Sequence, residues 1–272
     1  MLVTTVDNKI HSIRSEKSGS VYTVKEKVWM DVTFYRTYEE AMALVKPEDK
    51  VAFLIRHSEK DGNGDTHLSQ NGEAYATDAG SRIAAALPSS FFSNVKYYST
   101  DTNRTRETAV CISAGIDPNS PITTSDVDLS MADDQLRSDY FLRGSNVYGH
   151  NVDWVMLSKY AYNIVDGPDA LSATVLAEVF GTTAQNNSYY ANSLTSEIVN
   201  AVLRKMTGKL TFFITHDNML APFIITVTGT GINMRQYESS TEEWVDYVSG
   251  VLFIKHVDDT FDVIPVKHTI SQ

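Results

Sequence analysis

Apolar and polar positions along the chain follow two patterns, one typical of buried strands and one typical of helices. Short apolar runs at 51–55, 95–99 and 210–215 fit strands of a sheet, and runs this continuous are typical of strands buried on both faces. Apolar residues at helical spacing predict helices over 72–87 and 104–114. These strands and helices alternate, which favours an α/β architecture.

Near the two ends of the chain the sequence predicts further strands, a short helix and an irregular segment. Residues 1–20 are polar and are predicted to be irregular, whereas 21–35 is rich in β-formers and predicts some strand. A short helix is predicted over 37–45. Two strand patterns at 248–255 and 261–266 flank a polar segment and predict a hairpin.

The segment from about 116 to 208 differs from the rest and predicts a mainly helical insertion. Three apolar helical faces within it end near Gly167, Gly181 and Gly208. We therefore expect one α/β domain over residues 1–272, built as a three-layer sandwich around a mostly parallel central sheet and carrying this insertion.

Charge and composition narrow the classes of partner. The net charge is -11 and the pI is near 5.0, which argues against nucleic acid or an anionic membrane as the main partner. No apolar run reaches the ~18 residues of a membrane span. The lone Cys111 excludes an intrachain disulfide. Localisation stays open between the cytoplasm and export after removal of a signal peptide.

Candidate chemistry follows the three predicted buried strands. Arg56 and His57 come directly after the first, Arg104 follows the second, and His216 and Asp217 follow the third. In parallel sheets ligands bind at the carboxyl ends of the strands, so these side chains are expected to converge. Arginine is planar and permanently charged, and histidine can act as donor or nucleophile. The pattern predicts a clamp for a small dianion such as a phosphoryl group.

The same segments resemble a known family, the histidine phosphatase superfamily of phosphoglycerate mutase-like enzymes and acid phosphatases. The resemblance covers the α/β core, about 50–110 and 210–265. It is carried by Ile55-Arg56-His57, by Leu68-Ser69-Gln70-Asn71-Gly72, by the segment Tyr98 to Ala109 with its arginine at Arg104, and by Thr215-His216-Asp217. It implies a phosphoglycerate mutase-like fold.

The resemblance also implies a reaction. The chain would hydrolyse phosphomonoesters through a phosphohistidine on His57. Arg56, Arg104 and His216 would hold the phosphoryl oxygens, and Asp217 would protonate the leaving group. The expected partner is a small phosphorylated substrate. No metal or other cofactor is expected, because the positive side chains take the place of a metal ion.

Two positions depart from the pattern of the family. Ser58 stands where glycine usually follows the Arg-His pair, and Lys60 stands where acid phosphatases usually carry another arginine. Both are predicted to contact phosphate or substrate. Lysine keeps the charge but loses the paired geometry of a guanidinium.

Three alternatives remain at this point. In the mutase-like branch the acid comes from the segment after the second arginine, where this chain has Asp126, Asp128, Asp133 and Asp134. A phosphoglycerate mutase-type phosphotransferase would share the phosphohistidine and return the phosphate to its substrate. A non-catalytic phosphate-binding module would keep the clamp without turnover.

Overall fold

In the computed structural model, three short, mostly apolar segments form the parallel centre of a β-sheet. β4 (Lys50–Arg56), β6 (Leu210–Thr215) and β5 (Val95–Ser99) lie side by side in that order and run in the same direction. All of β6 and all but the first residue of β4 are buried, which explains why their sequences do not alternate between apolar and polar. Parallel pairing brings the carboxyl ends of the three strands to one edge of the sheet.

The structure describes residues 9–18, 21–31, 35–133, 189–217, 219–220, 223–224 and 245–268. The other strands within these residues are β1 (Lys9–Ser18), β2 (Val21–Asp31), β3 (Arg36–Thr37), β7 (Gly250–Lys255) and β8 (Thr260–Lys267). The α-helices are α1 (Tyr38–Met42), α2 (Gln70–Ala86), α3 (Asn103–Ile116) and α4 (Tyr189–Lys205). Short 3₁₀ helices span Ser89–Asn94, Thr124–Asp126 and Ser130–Asp133.

Among the described residues the sheet has the strand order β2-β1-β8-β7-β4-β6-β5, and β3 pairs with β8. Strands β3 to β8 form its central part, in which three of the five pairings are parallel. The prediction of a mostly parallel central sheet is confirmed for this part. The β1–β2 hairpin extends the sheet through antiparallel pairing with β8.

One face of the sheet packs against the helices that follow β3, β4 and β5. Phe53 and Phe212 stack with ring centroids 5.3 Å apart, and Tyr97 stacks on Phe212 at the same separation. These rings join a single buried cluster with residues of α1, α2 and α3, including Ile83 and Ile112. Burying each large apolar side chain contributes about 1.5–3 kcal/mol, so this layer holds the helices against the sheet.

The opposite face is also buried where it is described. Leu54, Phe213 and Phe253 are fully buried, and Phe223 stacks on Phe253 with centroids 6.1 Å apart. Much of the chain that would complete a layer here lies outside the described residues. The three-layer sandwich therefore stays a prediction.

Helices α2 and α3 approach each other closely through glycine. A Cβ built on Gly80 would lie 2.1 Å from the carbonyl oxygen of Ile112, and one built on Gly115 would lie 2.1 Å from that of Thr77. Helix α2 begins after Ser69, whose side chain accepts a hydrogen bond from the third residue beyond it. The close approach packs the C-terminal half of α3 directly against α2.

Most predicted elements of the core form within a few residues of their predicted bounds. The prediction that residues 1–20 are irregular is wrong for 9–18, which form β1. Its polar sequence gives little periodic signal, and the strand is specified by pairing with β2 and β8 instead. The predicted helix ending near Gly208 forms as α4. The predicted helices ending near Gly167 and Gly181 lie outside the described residues, so the helical insertion stays a prediction.

None of the helices in the described ranges combines the length and apolarity that crossing a bilayer requires.

Candidate active site

The carboxyl ends of β4, β5 and β6 bring together side chains that are far apart in the chain. Ile55 pairs with Ile214, and Ile214 pairs with Ser99, so the residues that follow the strands leave the sheet at one edge. The imidazole rings of His57 and His216 lie here, edge to face, with centroids 5.2 Å apart. The structure thus brings together the two histidines singled out from the sequence.

His57 is buried, and the backbone sets its tautomer. Its Nδ1 lies 2.6 Å from the carbonyl oxygen of Ser58, and a carbonyl only accepts, so Nδ1 carries the proton. Nε2 therefore keeps its lone pair and accepts a hydrogen bond from Nε of Arg104 at 3.2 Å. Burial, reinforced by the positive charge of Arg56, lowers the pKa of His57 well below its ordinary value. The ring is a neutral imidazole whose nucleophilic nitrogen meets Arg104.

Arg104 links the two histidines. Besides its bond to His57, it donates from Nη2 to Nδ1 of His216 at 3.3 Å. Its Nη1 donates to the carbonyl oxygen of Gly64 at 3.2 Å and lies 3.3 Å from Oδ1 of Asp65. A guanidinium with several N–H groups in one plane can exchange such partners for phosphate oxygens.

A chain of buried hydroxyl groups sets the tautomer of His216. Thr105 Oγ1 donates to the carbonyl oxygen of Thr100 at 2.7 Å and accepts from the Thr100 hydroxyl at 3.2 Å. Thr100 Oγ1 in turn accepts from Nε2 of His216 at 3.0 Å. The lone pair of His216 therefore sits on Nδ1, where Arg104 donates. Burial, together with the charge of Arg104, lowers the pKa of His216 to about 4.

Arg56 and Asp217 form the second charged part of the site. Nη2 of Arg56 lies 3.2 Å from Oδ2 of Asp217, whose side chain is 28% exposed. Nη1 of Arg56 donates to the carbonyl oxygen of Val245 at 2.7 Å. The guanidinium carbon also lies 4.4 Å from the ring centroid of Tyr247. Two guanidinium groups, two neutral imidazoles and one carboxylate are thereby gathered at the strand ends.

The loop after β4 places a further carboxylate beside the clamp. Asp65 Oδ1 accepts a hydrogen bond from the backbone N–H of Asn103 at 2.9 Å, at the start of α3, and pairs with Arg104. Gly62 and Gly64 have φ of +63° and +89°, a region that glycine adopts without strain. The outer side of Arg104 is thus neutralised by the chain itself.

Ser58 and Lys60 make contacts within the fold. The Ser58 hydroxyl donates to the carbonyl oxygen of Gly72 at 2.7 Å, and its backbone N–H donates to Oγ1 of Thr108 at 2.9 Å. The Lys60 ammonium donates to the carbonyl oxygen of Gly62. These bonds tie the end of β4 to α2, α3 and the following loop. That either residue contacts phosphate stays a prediction.

Two of the alternative acids, Asp126 and Asp128, lie in capping and turn positions. The hydroxyl and backbone N–H of Thr123 donate to Asp126, and these bonds lower its pKa. Asp128 accepts from the backbone N–H two residues further on, at 2.8 Å. Asp134 lies outside the described residues. Asp217 lies at the site, 3.2 Å from Nη2 of Arg56, and its role as the acid stays a prediction.

Three side chains of the site were not predicted from the sequence: Thr100, Asp65 and Tyr247. Thr100 had a usable signal, because it comes directly after a predicted strand and shortly before Arg104, and Asp65 lies in the polar loop that follows the first predicted strand. Tyr247 had none, since it lies 190 residues beyond His57 in a segment without a motif. Within the described part of the chain, no three His, Cys, Asp or Glu side chains are grouped closely enough to hold a metal ion.

Comparisons with known proteins were made by sequence and by structure. No family model matches the chain, and no curated protein matches it significantly. Similar solved structures include a phosphoglycerate mutase from Bacillus anthracis str. Sterne, with 15% identity over 80% of this chain and 93% of that chain and a TM-score of 0.41. A mycobacterial glucosyl-3-phosphoglycerate phosphatase has 15% identity over 81% and 99% and a TM-score of 0.39. A phosphoserine phosphatase mutant from Entamoeba histolytica, solved with phosphoserine, has 13% identity over 79% and 94% and a TM-score of 0.39.

These similar structures are phosphoglycerate mutases and phosphatases, the group of enzymes that the sequence motifs resemble.

Proposed function

We propose that this protein is a phosphomonoester hydrolase that transfers the phosphoryl group of its substrate to Nε2 of His57 and then to water. The observation that carries the proposal is the position of Arg104, which donates to Nε2 of His57 and to Nδ1 of His216. The guanidinium of Arg104 thus contacts the imidazoles of both His57 and His216, and the guanidinium of Arg56 lies nearby. This arrangement suits a tetrahedral dianion better than a neutral ligand.

Binding would use the two guanidinium groups gathered at the strand ends. Arg56 and Arg104 supply two permanent positive charges against the two negative charges of a phosphomonoester. Their low exposure, 5% and 15% of the side chains, strengthens the attraction, because few water molecules screen it. Stabilising the charge on the transferred group supplies most of the catalysis in phosphoryl transfer.

The first chemical step forms one bond and breaks one. The Nε2 lone pair of His57 attacks phosphorus, and the bond from phosphorus to the leaving oxygen breaks. The proton stays on Nδ1 and is donated in a hydrogen bond to the carbonyl oxygen of Ser58, which stabilises the positive charge that develops on the ring. Asp217 would give a proton to the leaving oxygen. Water then attacks phosphorus, the bond from phosphorus to Nε2 of His57 breaks and returns its electron pair to the ring, a proton of the water passes to Asp217, and phosphate leaves.

His216 would change its protonation in this cycle. In the free site its Nδ1 is an acceptor for Arg104, so it cannot donate to a phosphate oxygen. A bound dianion favours the imidazolium form, which donates from Nδ1 while Nε2 stays on Thr100. We therefore expect phosphate binding to be accompanied by proton uptake at His216.

The test compares two histidine substitutions on p-nitrophenyl phosphate. His57→Ala should abolish turnover and the acid-labile phosphoprotein trapped by rapid quenching, because both need Nε2. His67→Ala is the matched control, since this imidazole is 73% exposed and contacts Glu107 rather than the clamp. Unchanged turnover in His57→Ala would remove the nucleophile assignment.

Product analysis with phosphomonoesters that carry a second hydroxyl group separates the alternatives. Release of free phosphate supports a hydrolase, and return of the phosphoryl group to a different oxygen of the substrate supports a phosphotransferase. Calorimetric binding of inorganic phosphate without any turnover on a panel of phosphomonoesters would leave a binding module.

A further inference from the structure

We propose that Tyr247 is a positioning residue of the site, whose ring holds the guanidinium of Arg56 in the orientation that meets the phosphoryl group. This inference rests on the proposed function for its consequence, but its geometry stands separately. The Tyr247 ring centroid lies 4.4 Å from the guanidinium carbon of Arg56 and 6.1 Å from the ring centroid of His57. The ring therefore borders both the clamp and the nucleophile.

The contacts of Arg56 divide into edge contacts and a face contact. Its nitrogens donate to the carbonyl oxygen of Val245 and pair with Asp217, whereas its carbon lies over the face of the Tyr247 ring at cation–π distance. Edge bonds alone would let the planar group tilt about the line that joins them. A ring against one face opposes that tilt, so the direction of the N–H groups is held.

An aromatic ring is the suitable chemistry for this task. Arg56 is 4% exposed and carries a permanent charge that must be stabilised before substrate arrives. A second carboxylate would do this, but it would compete with phosphate for the same cation. The face of a tyrosine ring attracts the cation through its quadrupole and adds no negative charge to the site.

The backbone beside Tyr247 is held in a strained conformation. Val248 is fully buried and has φ of +56°, a left-handed conformation that a β-branched residue rarely adopts. The Tyr38 hydroxyl donates to its carbonyl oxygen. The next carbonyl, that of Ser249, accepts from the backbone N–H of Arg56 at 2.9 Å.

A second bond reaches the same segment from the end of the sheet. The Ser249 hydroxyl accepts from the backbone N–H of His268 at 3.0 Å. Strain of this kind persists only where surrounding contacts over-determine the conformation, and it is concentrated at functional sites. The position of the Tyr247 ring is therefore set by α1, β4 and the end of β8 together.

The experiment measures the affinity for inorganic phosphate by isothermal titration in a set of variants of the full chain. Tyr247→Leu and Tyr247→Met remove the ring and should weaken phosphate binding by about five- to tenfold, the value of one cation–π contact. Tyr247→Phe keeps the ring and should stay within about twofold of wild type. Tyr75→Leu, the same substitution at a partly buried tyrosine of α2, should leave the affinity unchanged.

A catalytic measurement accompanies the titration. Because Tyr247 acts through Arg56, the two ring-less variants should raise KM for p-nitrophenyl phosphate by the same factor, and phenylalanine should restore it. Thermal unfolding of each variant separates loss of fold from loss of positioning, and either leucine or methionine suffices if the other does not fold.

Three results would overturn the inference. They are wild-type affinity in both ring-less variants, an equal loss in Tyr247→Phe, and an equal loss in Tyr75→Leu. Failure of the proposed function is distinguishable from failure of this inference. It would show as phosphate binding without turnover in the wild-type protein, and the titration series would still decide whether the Tyr247 ring positions Arg56. A wild-type chain that does not bind phosphate would remove both.

Discussion

Replacing Thr100 by valine should impair catalysis although this residue touches neither the nucleophile nor the acid. Valine has nearly the same shape as threonine but lacks the hydroxyl that accepts from Nε2 of His216 at 3.0 Å. Thr100 and His216 are each only 5% exposed, so water cannot replace the lost acceptor. The imidazolium form of His216 that we expect in the phosphate complex would then carry an unsatisfied N–H group.

The magnitude follows from the type of bond. A hydrogen bond to a charged group contributes about 1.5–3 kcal/mol, which corresponds to a fall of roughly 10- to 150-fold in kcat/KM. The free site is less affected, because His216 is neutral there, its pKa being lowered to about 4 by burial and by Arg104. The penalty therefore falls on the phosphate complex rather than on folding alone.

The assay is kcat/KM on p-nitrophenyl phosphate, measured beside thermal unfolding. Thr100→Ser keeps the hydroxyl and should remain within about threefold of wild type. Equal kcat/KM in the folded valine and serine variants would refute the reasoning and remove the hydroxyl chain from the mechanism. A valine variant that loses stability but not kcat/KM would lead to the same conclusion.

Three further outcomes are expected. Asp217→Asn should lower kcat strongly on alkyl phosphates and little on p-nitrophenyl phosphate, and equal losses on both would exclude Asp217 as the proton donor. Gly80→Ala should lower the free energy of unfolding by about 1–3 kcal/mol, measured in urea, because its Cβ would lie 2.1 Å from the Ile112 carbonyl oxygen. Burial opposes protonation of His256, but hydrogen bonds to Asp49 and Asp262 raise its pKa above the ordinary value. The stabilisation from protonated His256 should therefore be full below about pH 6.5 and be lost as the pH rises through the folded pKa. The urea midpoint of unfolding should fall over that rise in pH, and it should fall less in His256→Gln. A midpoint that does not fall, or that falls equally in the variant, would contradict the assignment.

Local sequence determined the core elements because their signals are local. The buried runs at 51–55 and 210–215 specify strands through continuous apolarity, and Pro88 stops α2 at its predicted end. The order of strands and helices then places Arg56, His57 and His216 at one sheet edge, since parallel strands share that edge. For that reason the sequence alone could predict that these residues lie together.

Other features have no local signal. Strand β1 is polar, and pairing with β2 and β8 makes it a strand. The tautomer of His216 depends on a hydroxyl 116 residues earlier in the chain. The roles of Ser58, which bonds to α2, and of Asp65, which neutralises Arg104, likewise depend on which backbone groups happen to be near.

The amino-acid sequence by itself determined which residues carry charge, which are the candidates for nucleophile and acid, and roughly where the chain forms strands and helices. Only the tertiary structure decided which nitrogen of each imidazole is free, which carboxylate meets which guanidinium, and that the ring of Tyr247 covers Arg56. The reason is physical. Periodicity reports which face of an element is buried, whereas the direction of a hydrogen bond depends on distances between groups that are remote in the chain and adjacent only after folding.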